Sequence, residues 1–314
     1  MADPTPFRIL LAHMDERSHL RPTPAMARLC EVLRERFGPS VAAIVFYGSC
    51  LRSGAELDGL VDLYVLVDDY HAAHGSRLSA LANHWLPPNV YYLEAPLEDA
   101  VIRAKVAVVS VVDFRRGCED WFHSYLWGRF AQPAALVYCR DEPSRRRVVN
   151  ALALAVMRFL GESLGRVPYR VDVLDLWLHG LGLSYRCELR AERPDRVQAL
   201  VTSFAEEYRA VTPLALAEHP AATVRDGTVH VVLTRAQRLW SRARWRVRRG
   251  QGVALSLARL AKASFTFHGG VDYLAWKLER HTGEKIVVSE RLRRWPLVFV
   301  WGELWRLYRR RVVR

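Results

Sequence analysis

Gly48 and Ser49 close the apolar run Ala42–Phe46, and a single carboxylate, Asp62, stands in the next apolar run, Val61–Val67. A glycine lets backbone N–H groups close on a phosphate chain, a serine hydroxyl adds a donor, and a strand carboxylate can hold Mg²⁺. Together they suit nucleotidyl transfer, in which such an ion braces the phosphoryl group under attack. Lys105 heads a further apolar run, where its flexible point charge can reach a phosphate. Arg129 offers the planar fork that phosphate accepts bidentately. As a bare pattern, Gly-Ser followed by one Asp also fits an ordinary strand–turn–strand corner.

To bring these groups together the chain needs a sheet. Helical spacing of Met26, Leu29, Leu33 and Phe37 predicts a helix over Ala25–Phe37, and β-rich runs predict strands at Val41–Phe46, Val61–Val67, Asn89–Leu93, Ile102–Val112 and Ala134–Cys139. Helices are expected between them at Ser76–Asn83 and Asp113–Arg129, while residues 1 to 21 read as a polar, proline-broken lead-in. Beyond Glu142 come helices at Val148–Leu160, within 171–189 and at Pro194–Tyr208, then a hairpin whose turn is Asp226-Gly227. A helical domain ending in a hairpin suggests a winged helix. Nucleotidyltransferases of the polymerase-β type place two carboxylates at i and i+2 of one strand, where both share a face. Here Asp62 is flanked by Leu60 and Tyr64, so other metal ligands are needed: Asp68 and Asp69 at the strand's end, with Asp58, Glu94 and Asp113 in reserve.

Phe46-Tyr47-Gly48-Ser49, then Val61-Asp62-Leu63, Val67-Asp68-Asp69 and His74, resemble the mitochondrial-type phosphatidate cytidylyltransferases, the CDP-diacylglycerol synthases of the nucleotidyltransferase superfamily. Further segments follow in the family's order. Lys105 to Ser110 is similar to its Lys-Tyr-Gly-Val-Ile-Ser, and Leu126-Trp127-Gly128-Arg129-Phe130 with Pro133 to its Ala-Gly-Arg-Leu…Lys-Pro. Gly182-Leu183-Ser184-Tyr185, with Glu188, Arg190 and Glu192, resembles its Gly-Leu-Ser-Tyr-Ser-Gly-Asp-Phe-Arg, and the likeness runs over about residues 40 to 245. The resemblance implies CTP and phosphatidic acid as substrates and CDP-diacylglycerol and pyrophosphate as products. It assigns Asp62 and Lys105 to catalysis, Tyr47, Gly48, Ser49, His74, Arg129, Tyr185 and Arg190 to the nucleotide, and Mg²⁺ to Asp62 with Asp68 or Asp69.

The composition agrees with a phosphate-bearing partner. Forty-six basic against thirty-three acidic residues give +13, and only four of the basic ones are lysines. The five cysteines are odd in number and have no paired spacing, which argues against a disulfide framework and a structural zinc site and points to a reducing cytoplasm. No signal peptide and no spanning helix are expected. After Pro296, Leu297, Val298, Trp301, Leu304, Trp305, Tyr308 and Val312 make one apolar helical stripe, opposed by Arg306, Arg309 and Arg310. That is the pattern of an interfacial anchor, with Trp301, Trp305 and the three arginines at lipid. Phe265–Tyr273, with its Gly269-Gly270 break, is a candidate acceptor-phosphate seat.

The expected architecture is therefore α+β: a polymerase-β-like nucleotidyltransferase domain with a mixed sheet (1–142), a mainly helical, winged-helix-like domain (143–253), and a basic, aromatic membrane-associating segment (254–314) ending in an amphipathic helix. It would lie in the cytoplasm, peripheral on the inner face of an anionic membrane, with nucleic acid not expected as a partner. Two other classes remain open: a nucleotidyltransferase acting on tRNA or another soluble acceptor through the Arg235–Arg249 segment, and an inactive anionic-lipid-binding protein.

Overall fold

The computed structural model describes residues 5–188 and 194–266, which form an α+β structure. In chain order the first half comprises α1 (Pro6–Ser18), α2 (Pro24–Phe37), β1 (Val41–Tyr47), α3 (Ser49–Ser53), β2 (Leu60–Val67), α4 (Tyr70–Ala73), α5 (Arg77–Trp85), β3 (Asn89–Leu97), β4 (Ala100–Ser110), α6 (Val111–Glu119), α7 (Trp127–Phe130) and β5 (Ala135–Cys139). The strands make one mixed sheet in the order β3-β4-β2-β1-β5, in which only β2 and β4 run parallel.

Strand periodicity sorts the side chains onto two buried faces. Val61, Leu63, Val65 and Val67 of β2 pack with Met26, Leu29 and Leu33 of α2. On the other side, Tyr64 and Leu66 join Ala43, Val45, Ala107 and Val109 beneath the following helices. Those helices begin with α8 (Glu142–Leu164), capped by Asp141, and continue through β6 (Arg170–Asp172), α9 (Val173–Tyr185), α10 (Pro194–Ser203) and α11 (Ala205–Leu216). The hairpin β7 (Ala222–Arg225) and β8 (Thr228–Val231) and the long α12 (Arg235–Thr266) complete the described chain. β6, β8 and β7 form a second, three-stranded sheet. The turn between β7 and β8 puts Asp226 at φ 47° and Gly227 at φ 73°, the two left-handed residues that a two-residue hairpin needs.

Three sequence expectations need correction. The lead-in is not irregular: Thr5 caps α1, Pro6 starts it, and Leu10, Met14 and Ser18, four residues apart, are buried as it packs on α8 and α11. The helix expected over Asp113–Arg129 stops at Glu119, and α7 begins afresh after a loop in which the Trp127 ring N–H donates to the Trp121 carbonyl (3.0 Å). Pro194–Tyr208 is two helices, broken at Phe204, whose φ of −119° and ψ of 25° leave the helical range. The boundary expected after 142 falls at the start of α8, and that after 253 falls inside α12. Among the described residues no helix is long and apolar enough to cross a membrane. Arg190, the Phe265–Tyr273 seat beyond Thr266, and the tail residues Trp301, Trp305, Arg306, Arg309 and Arg310 lie outside the described residues.

Candidate active site

Tyr47 is the last residue of β1; Gly48 then turns out of the sheet at φ 89°, and Ser49 opens α3, which no side chain caps. Glycine adopts that φ without the steric cost other residues meet. A Cβ at Gly48 would stand 2.9 Å from Asp62 Oδ2, so the carboxylate lies directly against the turn. Cross-strand register makes the contact and extends it. Tyr47 pairs with Asp62, Asp62 with Lys105 of β4, and Lys105 with Tyr92 of β3. Directly opposed residues share a face, which gives a row Tyr47-Asp62-Lys105-Tyr92 across four strands. It lies where the apolar layer ends: Gly48, Ser49 and Lys105 are exposed and Asp62 is half-buried.

Two residues further along β2, on the same face, Tyr64 backs the row. Tyr64 packs edge-on against Tyr47 (5.4 Å between centroids) and Phe130 (4.9 Å). Arg129, from α7, donates to the Tyr64 hydroxyl (3.2 Å) and to the Tyr125 carbonyl (3.2 Å), and grips both oxygens of Glu188 at 3.0 and 3.1 Å. Its guanidinium also lies 4.3 Å from the Tyr125 ring centre, and Arg259 of α12 covers the same ring at 3.9 Å. Burial, followed by the charge of Asp62, pushes the Tyr47 phenol well above its ordinary range. Burial acts the same way on Tyr125, but Arg129, Arg259 and Lys105 outweigh it and leave that phenol below its ordinary range. Around this row stand three cations, Lys105, Arg129 and Arg259, with the carboxylates of Asp62 and Glu188. Such an excess draws a polyphosphate, and the tyrosine rings offer faces for a base.

Other expected site residues are placed elsewhere or in supporting roles. His74 is buried on the opposite face of the sheet, with its Nε2 3.0 Å from Asn83 Nδ2 and its Nδ1 3.2 Å from the Tyr91 hydroxyl. Burial, with Arg36 and Lys262 nearby, lowers it to a pKa of about 4. Asp68 and Asp69 follow β2 at its far end, roughly 20 Å from Asp62 at about 3.3 Å per residue. Asp68 pairs with Arg140, and Asp69 caps α4 by accepting from His71 N (2.8 Å) and Ala72 N (3.0 Å). Both are engaged structurally, and neither can share an ion with Asp62. Of the reserves, Asp113 accepts from Tyr70 (2.8 Å), and Glu94, two strands from Asp62, accepts from Tyr92 (2.7 Å) and Arg103 (3.2 Å). Tyr185 donates to Gln132 (3.0 Å), tying α9 to the segment after α7.

The sequence places Tyr92 on the third strand but assigns neither it nor Tyr125 nor Arg259 to the site. A usable signal existed for Arg259: with Arg248 and Gly252 it falls at i, i+4 and i+11 on the inward side of α12. Among the described residues no three histidine, cysteine, aspartate or glutamate side chains gather closely enough to hold a metal. Mg²⁺ is commonly held by one or two carboxylates with the remainder supplied by water and substrate phosphates. Asp62 against the Gly48 turn fits that mode and does not fit a cage built by protein alone. No protein-family model matches the chain, and no curated protein matches it.

Proposed function

We propose that the chain is a CTP:phosphatidate cytidylyltransferase, with β1 to β5 as a polymerase-β-like nucleotidyltransferase core and α9 to α12 with the β7–β8 hairpin as a winged-helix-like partner. The observation that carries this reading is the closure of Asp62 Oδ2 on the Gly48 turn, with Lys105 in register beside it. In the proposed reaction an oxygen of phosphatidate's phosphate attacks the α-phosphorus of CTP. The bond from that phosphorus to the bridging oxygen breaks, and its electron pair leaves with pyrophosphate. A phosphate monoester near neutral pH is already largely ionised, so no general base is required. Gly48 and Ser49 hold the triphosphate and Lys105 steadies its charge, while Arg129 and Arg259 keep the wall of the cleft positive. Asp62 would hold the Mg²⁺ that accompanies CTP, and that ion supplies charge neutralisation on the phosphates. Membrane association through the tail, Trp301 and Trp305 with Arg306, Arg309 and Arg310, belongs to the same proposal, as does a peripheral cytoplasmic location.

The test is pyrophosphate release from CTP and Mg²⁺, with and without phosphatidate vesicles. Release should require the vesicles, and Asp62→Asn should abolish it while leaving vesicle binding intact. Release that survives in Asp62→Asn removes Asp62 from the site. A second reading, an inactive lipid-binding protein, is favoured by the lone carboxylate, and absence of release in the wild-type protein under all conditions would select it.

A further inference from the structure

Away from Asp62, the face that α12 forms with the segments following α8 and α9 carries a concentration of arginine. A groove of about 490 Å³ is lined by Arg166, Arg238, Arg242 and Arg246, and an adjoining hollow of about 180 Å³ shares three of these and adds Arg186 and Arg249. No carboxylate lines either one. On the neighbouring side of α12 the situation is opposite: Arg158, Arg244 and Arg248 all converge on Glu162, at 3.1, 2.6 and 2.9 Å. Among the described residues no groove arginine meets a carboxylate; Arg238 donates to the Val167 carbonyl, and Arg166 Nε is buried without a hydrogen bond. Burial, then Arg242, Arg246 and Arg186, hold the Arg166 guanidinium below its ordinary range. A guanidinium does not relieve such repulsion by giving up its proton, so an anion from outside is the natural complement.

We propose that this groove is a docking site for the phosphate headgroups of an anionic phospholipid surface. Lipid is favoured over nucleic acid by what surrounds the arginines. Leu239, Leu257 and Leu260, 63%, 53% and 65% exposed, fall on the same face of α12 as Arg242 and Arg246, so apolar side chains flank the cationic ones along one line. Headgroups would occupy the groove while these leucines meet the acyl boundary. The site is distinct from any acceptor seat in the Asp62 cleft and needs no turnover, so it stands or falls separately from the cytidylyltransferase reading.

The experiment measures binding of the full-length protein to phosphatidylcholine vesicles with and without phosphatidylglycerol, a lipid that is not the proposed substrate. Wild-type protein should bind only the anionic vesicles. The double variant Arg242→Glu/Arg246→Glu should bind them roughly tenfold or more weakly, the scale expected for basic residues at a charged surface. Arg249→Gln, a milder change at an exposed position, should weaken binding in the same direction, and Asp62→Asn should bind as wild type. Far-UV circular dichroism and the thermal midpoint show that each variant is folded. Undiminished vesicle binding by the double variant overturns the proposal. So does a groove that takes inorganic pyrophosphate, with variant-sensitive thermal stabilisation, while vesicle binding stays unchanged, which would mark a free-phosphate site. Variant-sensitive binding of single-stranded RNA without vesicle binding would assign the groove to nucleic acid instead.

Discussion

At the scale of single residues, Gly48 and His74 make different demands on their surroundings. Gly48 combines a left-handed φ with a carboxylate where its Cβ would be, so Gly48→Ala must move either the turn or Asp62. We expect pyrophosphate release to fall about a hundredfold, the cost of a misplacement of about 1 Å, with the fold retained. Steady-state assays beside circular dichroism measure both. His74 is held neutral by burial, with a pKa of about 4 against an ordinary value of 6.5. The unfolded chain therefore binds the proton first as pH falls. The stability His74 contributes is complete above about 6.5, declines below it, and is lost as pH passes through about 4, amounting to on the order of 3 kcal/mol. Urea denaturation across that range should show the decline, and His74→Gln should flatten it.

At the scale of elements, α12 is the member on which both candidate sites depend. Trp245 and Arg248 are buried from its inner side, with the Arg248 guanidinium 4.5 Å from the Trp245 ring centre and 5.1 Å from that of Trp127. Gly252 lets the helix approach the turn after α9 so closely that a Cβ there would stand 2.2 Å from the Cys187 carbonyl oxygen. Gly252→Ala must push α12 outward, at a cost of roughly 1–3 kcal/mol by the usual scale of overpacking. Chemical denaturation measures that loss. Because Arg259 lies two turns further along the same helix, nucleotide affinity should fall as well, and an unchanged affinity would show that Arg259 is not part of the cleft.

For the molecule as a whole, one buried cluster runs from Val45, Tyr64 and Val109 of the sheet through Phe130 and Phe159 to Trp177, Tyr208 and Trp245. On this face the sheet and the helices behind it share one core, while the opposite face of the sheet packs a second cluster against α2. Unfolding in urea should accordingly be a single transition, coincident by far-UV circular dichroism and tryptophan fluorescence. Two separated transitions would show that the helical part is stable by itself.

Much of this organisation is legible in the chain. Apolar periodicity marked all five strands of the main sheet, and Asp226-Gly227 marked the β7–β8 hairpin of the second sheet, because these depend on side-chain alternation and on turn preferences within a few residues. The pairing of Gly48-Ser49 with Asp62 was also readable, since one short helix separates two adjacent antiparallel strands. Tertiary structure alone decided the rest. That Lys105 stands opposite Asp62 follows from the register of a parallel pair, that Arg129 is held by Glu188 and Arg259 reaches Tyr125 from docking of α9 and α12, and that Asp68 and Asp69 serve Arg140 and α4 from the length of β2. The physical reason is that a charged side chain takes its role from the neighbour it meets, and for these residues that neighbour is brought in by long-range packing that no local pattern of residues encodes.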